Sequence, residues 1–348
     1  MAMTHKERID AAFNQQPTDR VPFGFVDGGA WIAKSNGLTY RELYGSPDGG
    51  AALIVKYTDE ADVDFVSGVN GVFTAPLNAY GCPIQIDESG TPTNTGSCLK
   101  KFEEEIPALD KTKIRETLMA NEFFSNMVKQ CGCINKLVGD RKYIIGDIAG
   151  PYTLASVMAG TAKFMKLMMK KQDLCQQLLD FTTELCIEIY RILGENGCNI
   201  AFIAEPVAAG DMLRPDMFDK WVAPGIAKVK AALMDCGYKY VIQHICGASG
   251  VRVAPLRDLG VDAFSCDFAV DLDQALTDAD GKMTIMGNML PSGKLLFGTA
   301  DEVYEEACER IKLAAGRPFV LAPGCDLGAD TPYDNVMAMS RAIKETQK

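Results

Sequence analysis

Histidine is nearly missing from this sequence: among 348 residues it occurs only at His5 and His244. Any histidine chemistry beyond the N-terminal segment therefore rests on His244. His5 lies in a polar N-terminal segment with no partner in view. Also lacking is any apolar run of 18 residues, so no segment reads as a membrane span. The opening MAMTHKERIDAAF is charged and has no secretory hydrophobic region, which places the expected protein in the cytoplasm. Basic residues are in deficit, 35 against 46 acidic ones for a net charge of −11, and a chain of that sign is a poor partner for nucleic acid or an anionic membrane. No G-x-G-x-x-G follows an apolar run, which removes the dinucleotide-binding turn.

Cysteine, by contrast, is plentiful. Twelve thiols without a secretory signal point to a reducing compartment and free side chains. Most of them, Cys175, Cys186, Cys198 and Cys236 included, are expected to pack as small apolar groups.

Short apolar runs alternate with helical pattern along the whole chain. The runs are Val21–Val26, Val63–Val66, Tyr143–Asp147, Asn199–Ala204, Tyr240–His244, Ala263–Ser265, Thr284–Gly287 and Phe319–Leu321. Between them the 3.6-residue period predicts helices over 50–60, 111–131, 172–193 and 216–235, with a first short helix over 4–14 capped by Thr4 and Glu7. Eight strands separated by helices are the arithmetic of an α/β fold, a (β/α)8 TIM barrel, in one domain over residues 1–348. From residue 71 to 102 the helical period lapses into Gly, Pro, Thr and Asn, which predicts a β-hairpin insertion.

In such a barrel the reactive groups gather at the carboxyl ends of the strands. The residues falling there are Asp147, Glu205, His244 with Cys246, Asp267, Asn288 and Cys325. A soft imidazole and two soft sulfurs suit zinc, and three protein ligands leave the fourth tetrahedral position to a substrate. On the residues alone a second reading stands beside it, in which His244 is a satisfied strand-end histidine and the two cysteines are packing groups. Met165, Met168 and Met169 read as core or pliable surface, Cys131 and Cys133 as structural, and Lys100, Lys101, Lys170 and Lys171 as solvated charges.

With these residues in hand, the chain resembles the uroporphyrinogen decarboxylase superfamily over nearly its whole length. The resemblance is carried by Lys6-Glu7-Arg8-Ile9, Asp19-Arg20-Val21-Pro22, Gly150-Pro151-Tyr152-Thr153-Leu154, Gly287-Asn288 and Gly298-Thr299-Ala300-Asp301-Glu302-Val303. Within it, His244-x-Cys246, Gly324-Cys325-Asp326, Thr331-Pro332, Asn335 and Gly81-Cys82-Pro83 look like the zinc-dependent methylcobalamin:coenzyme M methyltransferase branch. Decarboxylases carry an arginine-rich motif after the first strand, where this chain reads Asp27-Gly28-Gly29-Ala30-Trp31.

The resemblance implies Zn2+ on His244, Cys246 and Cys325, which would turn a coordinated thiol into a thiolate able to attack a methyl group on cobalt. It also implies methylcobalamin supplied by a partner corrinoid protein, since no Asp-x-His-x-x-Gly signature occurs here. Glu205 is then a candidate fourth ligand or proton acceptor, and its alternative is a hydrogen bond to the loop starting at Pro206. Asp267 and Asp147 are candidates to orient His244, as metal-bound histidines require. Asp147, Asn288, Arg214 and Lys294 are the candidate substrate-binding residues, the last two for an anionic tail on the methyl acceptor. Rival readings are methyl transfer from a methoxylated or methylthio substrate onto cobalt(I), a uroporphyrinogen decarboxylase-like enzyme, and a non-catalytic zinc-binding barrel with four protein ligands.

Overall fold

The apolar runs become strands because each is too short for a stable helix and is bounded by turn-forming residues. The computed structural model describes residues 2–25, 28–69, 73–86 and 92–346. Its strands are β1 (Phe65–Ser67), β2 (Ile84–Gln85), β3 (Thr93–Asn94), β4 (Tyr143–Ala149), β5 (Ile200–Ala204), β6 (Tyr240–Ile245), β7 (Ala263–Cys266), β8 (Thr284–Met289) and β9 (Phe319–Pro323). Seven of them form one sheet in the order β1-β4-β5-β6-β7-β8-β9, every neighbouring pair parallel.

The expected first strand, Val21–Val26, shrinks to a bridge at Phe23 opposite Leu321. Proline is the reason: Pro22 has no N–H to give to a ladder. What remains still closes the ring. Gly24 N donates to Leu321 O at 3.0 Å and Leu321 N to Pro22 O at 2.9 Å, while on the other side Asp64 N donates to Phe23 O at 2.9 Å. The cylinder is thus a (β/α)8 barrel with one vestigial stave. Val26, the end of the expected strand, and Asp27 lie outside the described residues.

Inside the cylinder, Phe65, Ile145, Phe202, Ile242, Met286 and Val320 pack together with Ile9 and Phe13 of the helix His5–Phe13. That helix begins with the expected capping box, Thr4 and Glu7 bonding each other's backbone reciprocally. It seals the amino-terminal end of the barrel, where Asp10 Oδ1 accepts from the hydroxyls of Tyr143 (2.7 Å) and Tyr240 (2.8 Å). Only the carboxyl-terminal end is left for a ligand.

His5, which showed no partner in the sequence, donates from Nδ1 towards the buried carboxylate of Asp64 at 2.8 Å. The same carboxylate accepts from Arg8 (2.5 Å), Arg20 (3.0 Å) and the backbone N–H of Phe23 (2.8 Å). One acid therefore ties the sealing helix to the vestigial stave.

Two predicted helices are broken. The segment 111–131 is a 3-10 turn (Lys111–Lys113) and two helices, Ile114–Ala120 and Glu122–Val138. Asn121 breaks it by taking an extended conformation (φ −82°, ψ 120°), from which its side chain accepts from Phe124 N. The segment 216–235 divides into Pro215–Trp221 and Ala223–Asp235, with Pro224 unable to bond back to the preceding turn. The insertion does contain a hairpin, β2 against β3, two antiparallel residue pairs long. Most of its described length is otherwise a 3-10 helix (Ala75–Tyr80) and irregular chain, and residues 87–91 lie outside the described set. Among the described residues no helix is long and apolar enough to cross a membrane.

Candidate metal centre

Side chains on β6 alternate between the two faces, and Tyr240, Ile242 and His244 share the inward one. The His244 ring stacks on Phe202 with centroids 5.5 Å apart. Register does the rest: His244 lies opposite Ser265 of β7, whose carbonyl is 3.0 Å and whose hydroxyl is 3.1 Å from Nδ1. A carbonyl only accepts, so Nδ1 carries the proton and the Nε2 lone pair is left pointing at the Cys246 sulfur, 3.1 Å away.

Cys325 arrives from the opposite side of the ring, two residues past β9. Gly324 makes that approach feasible, because a Cβ there would come within 2.7 Å of Phe268 N in the loop after β7. The Cys325 sulfur stands 3.9 Å from that of Cys246, and one ligand atom from each of His244, Cys246 and Cys325 falls within 4.8 Å of the others. The neighbouring Cys246 sulfur, and burial after it, push the Cys325 thiol well above its ordinary range. Two sulfurs this close resist ionising together unless a cation sits between them. No other described group of three or more His, Cys, Asp or Glu has this geometry.

Above the three donors lies a cavity of about 190 Å3. Its walls are Ala149, Ala204 and Pro206 with the side chains of Phe73, Thr74 and Thr153. A larger cleft of about 330 Å3, between Gln16 and Arg317, contains neither cysteine nor histidine.

Glu205 is fully buried, and its carboxylate holds the first turn of the helix Pro151–Ala159 and not the loop at Pro206: Oε1 accepts from Tyr152 N at 3.0 Å and Oε2 from Thr153 N at 2.7 Å. Burial pushes this carboxyl up to about 7 in spite of those bonds. Gly150 is a glycine for the same reason, since a Cβ would fall 2.3 Å from Glu205 Oε1.

Asp267 folds back on its own loop, Oδ1 accepting from Ala269 N at 3.0 Å. Asn288 lies within β8 and pins that loop, donating from Nδ2 to Val270 O (2.8 Å) and Asp267 O (3.3 Å). Asp147 is buried inside β4 beside Phe202, two residues short of the cavity wall at Ala149. Neither acid takes the Nδ1 proton of His244, a place Ser265 occupies. Arg214 is exposed and paired with Asp216 at 2.7 Å, and Lys294 is exposed at the start of a short helix.

Four residues outside the sequence-based site candidates thus shape the site: Ser265, Thr74, Phe73 and Thr153, the last quoted in the sequence only as part of a family motif. Ser265 was within reach of a register argument, being one inward position before Asp267. The other two cysteine pairs hold only two sulfurs each. Cys131 and Cys198 lie 3.3 Å apart in the core, and Cys82 meets Cys98 without a third donor. All twelve cysteines are free.

The sequence matches the profile described as Uroporphyrinogen decarboxylase (URO-D) over residues 4–346. It is 28% identical over 346 residues to the methylcobamide:CoM methyltransferase MtaA of Methanosarcina barkeri, covering 98% of each chain. To the methylcobamide:CoM methyltransferase MtbA of Methanosarcina mazei it is 27% identical over 343 residues, again with 98% of each covered. A solved structure of a methyltransferase from Methanosarcina mazei superposes with a TM-score of 0.88 at 27% identity, over 99% of this chain and all of that one.

Proposed function

The chain belongs to the uroporphyrinogen decarboxylase family, and from that premise we propose that it is a corrinoid-dependent methyltransferase holding zinc on His244, Cys246 and Cys325. In the proposed reaction a methyl group passes from a methylated corrinoid protein to a thiol. The sulfur–carbon bond forms as the cobalt–carbon bond breaks, the electron pair stays on cobalt, and the thiol proton leaves to solvent.

The observation that carries the reading is the convergence of one nitrogen and two sulfurs within 4.8 Å at the floor of the open end of the barrel. That donor set fits zinc, and the described residues add no fourth ligand, so a position stays free on the side of the cavity. When bound, zinc supplies the Lewis acidity that lets a thiol lose its proton at neutral pH. The protein does the rest by position. Ser265 fixes the tautomer and ring orientation of His244, and Gly324 with the Asp267 loop holds Cys325 in place. Ala149, Ala204, Pro206 and Phe73 give the acceptor sulfur apolar walls.

A tetrapyrrole does not fit in about 190 Å3, so the methyl donor sits over the mouth. Exposed Met212, Val251, Phe268 and Phe297, on the loops after β5, β6, β7 and β8, offer apolar contacts there for a corrinoid protein. The same size limit, with no arginine at 27–31, weighs against porphyrinogen decarboxylation.

The test is metal content and demethylation of methylcobalamin with a thiol, followed by absorbance, for the unaltered protein beside Cys325→Ser and His244→Ala. About one zinc per chain and thiol-dependent demethylation are expected in the first, and loss of both in the variants. Equal, near-zero zinc in all three samples refutes the reading.

A further inference from the structure

We propose that the methyl acceptor of this chain is a small uncharged thiol and not one with an anionic tail. The inference rests on the methyl-transfer reading above and concerns the far end of the acceptor.

An anionic tail taken out of water needs a cation or converging N–H groups. The described residues lining the cavity offer neither. Apart from the three donors, the described wall is apolar except for Thr74 and Thr153, and neither of these carries a charge.

The nearest ready-made anion site, the amino terminus of the helix Pro151–Ala159, is already filled. Glu205 accepts its Tyr152 and Thr153 N–H groups, so a second anion beside Thr153 would find those donors already taken.

Cations on the described loops that follow the strands are few, and none of them lines the cavity. Arg252 is buried and donates to the carbonyls of Ala208 (3.1 Å), Ala209 (3.4 Å) and Leu213. Arg214 is paired with Asp216, and Lys294 is exposed on a surface turn. At the far end of the insertion, Lys100 donates to Ser97 O (2.7 Å) and Lys101 to Glu104 (3.2 Å). The undescribed residues 26–27 and 70–72 contain no arginine or lysine. Arg214 and Lys294, the sequence-based candidates for an anionic tail, are not among the described residues that line the cavity.

The experiment is calorimetric titration of the zinc-loaded protein with 2-mercaptoethanol and 2-mercaptoethanesulfonate at one pH. Both have a two-carbon chain, so the tail is the variable. Binding of the sulfonate is expected to be about tenfold weaker or worse, the cost of an unpartnered charge. Thr74→Lys, which puts a cation in the wall, should narrow that ratio. Equal or tighter binding of the sulfonate, with thiol-dependent demethylation intact, overturns this inference and leaves methyl transfer standing. If the zinc-loaded protein binds neither thiol, both the inference and the methyl-transfer reading fall.

Discussion

Glu205 shows how a candidate residue changes meaning once its surroundings are known. An acid at a strand end suggests a ligand or a base, yet its two oxygens hold the helix that carries Thr153 into the cavity wall. Its charge also has a consequence for stability. Burial raises its folded-state pKa from 4.5 to about 7, so the folded protein favours the protonated form. The stability this contributes is complete below about 4.5 and is lost as pH climbs through about 7, by roughly 3 kcal/mol at ~1.4 kcal/mol per pH unit. Glutamine cannot titrate. Glu205→Gln should therefore shrink the drop in urea midpoint between pH 5 and pH 8, and an undiminished drop would mean that Glu205 ionises normally.

Among the elements, strands were easier to anticipate than helices. A strand of this barrel is buried on both faces, so its apolar run announces it. The period that predicts helices is blind to a one-residue break, because apolar positions continue to recur at helical spacing on either side of Asn121; here those are Ile114, Leu118, Phe124 and Val128, all buried. Only its cap reveals the break. Asn121→Ala should cost about 1 kcal/mol in a urea melt through loss of the bond to Phe124 N. No measurable change would mean that the two helices are held by packing alone.

For the whole molecule the decisive feature is closure. With Pro22 unable to donate, the vestigial stave depends on Asp64, which accepts from Phe23 N while neutralising Arg8 and Arg20. Removing that charge leaves Arg8 with Asp19 and Arg20 with Asp62, but takes away the one fully buried acid between them. Asp64→Asn is expected to lower global stability by about 1–3 kcal/mol in chemical unfolding. Zinc per folded chain should be unchanged, since Asp64 serves the sealed end. Loss of zinc from a still-folded variant would contradict that division of labour.

The sequence by itself determined which groups are able to hold a soft cation, because one usable histidine and cysteines at strand ends leave little choice. It also determined the alternation that makes a barrel, since burial on both faces demands unbroken apolar runs. Only the tertiary structure decided that Cys246 and Cys325, 79 positions apart, meet at 3.9 Å, and that Ser265 rather than an acid orients His244. Those outcomes depend on strand register and ring closure, which are fixed by packing between residues far apart in the chain and leave no local mark on it.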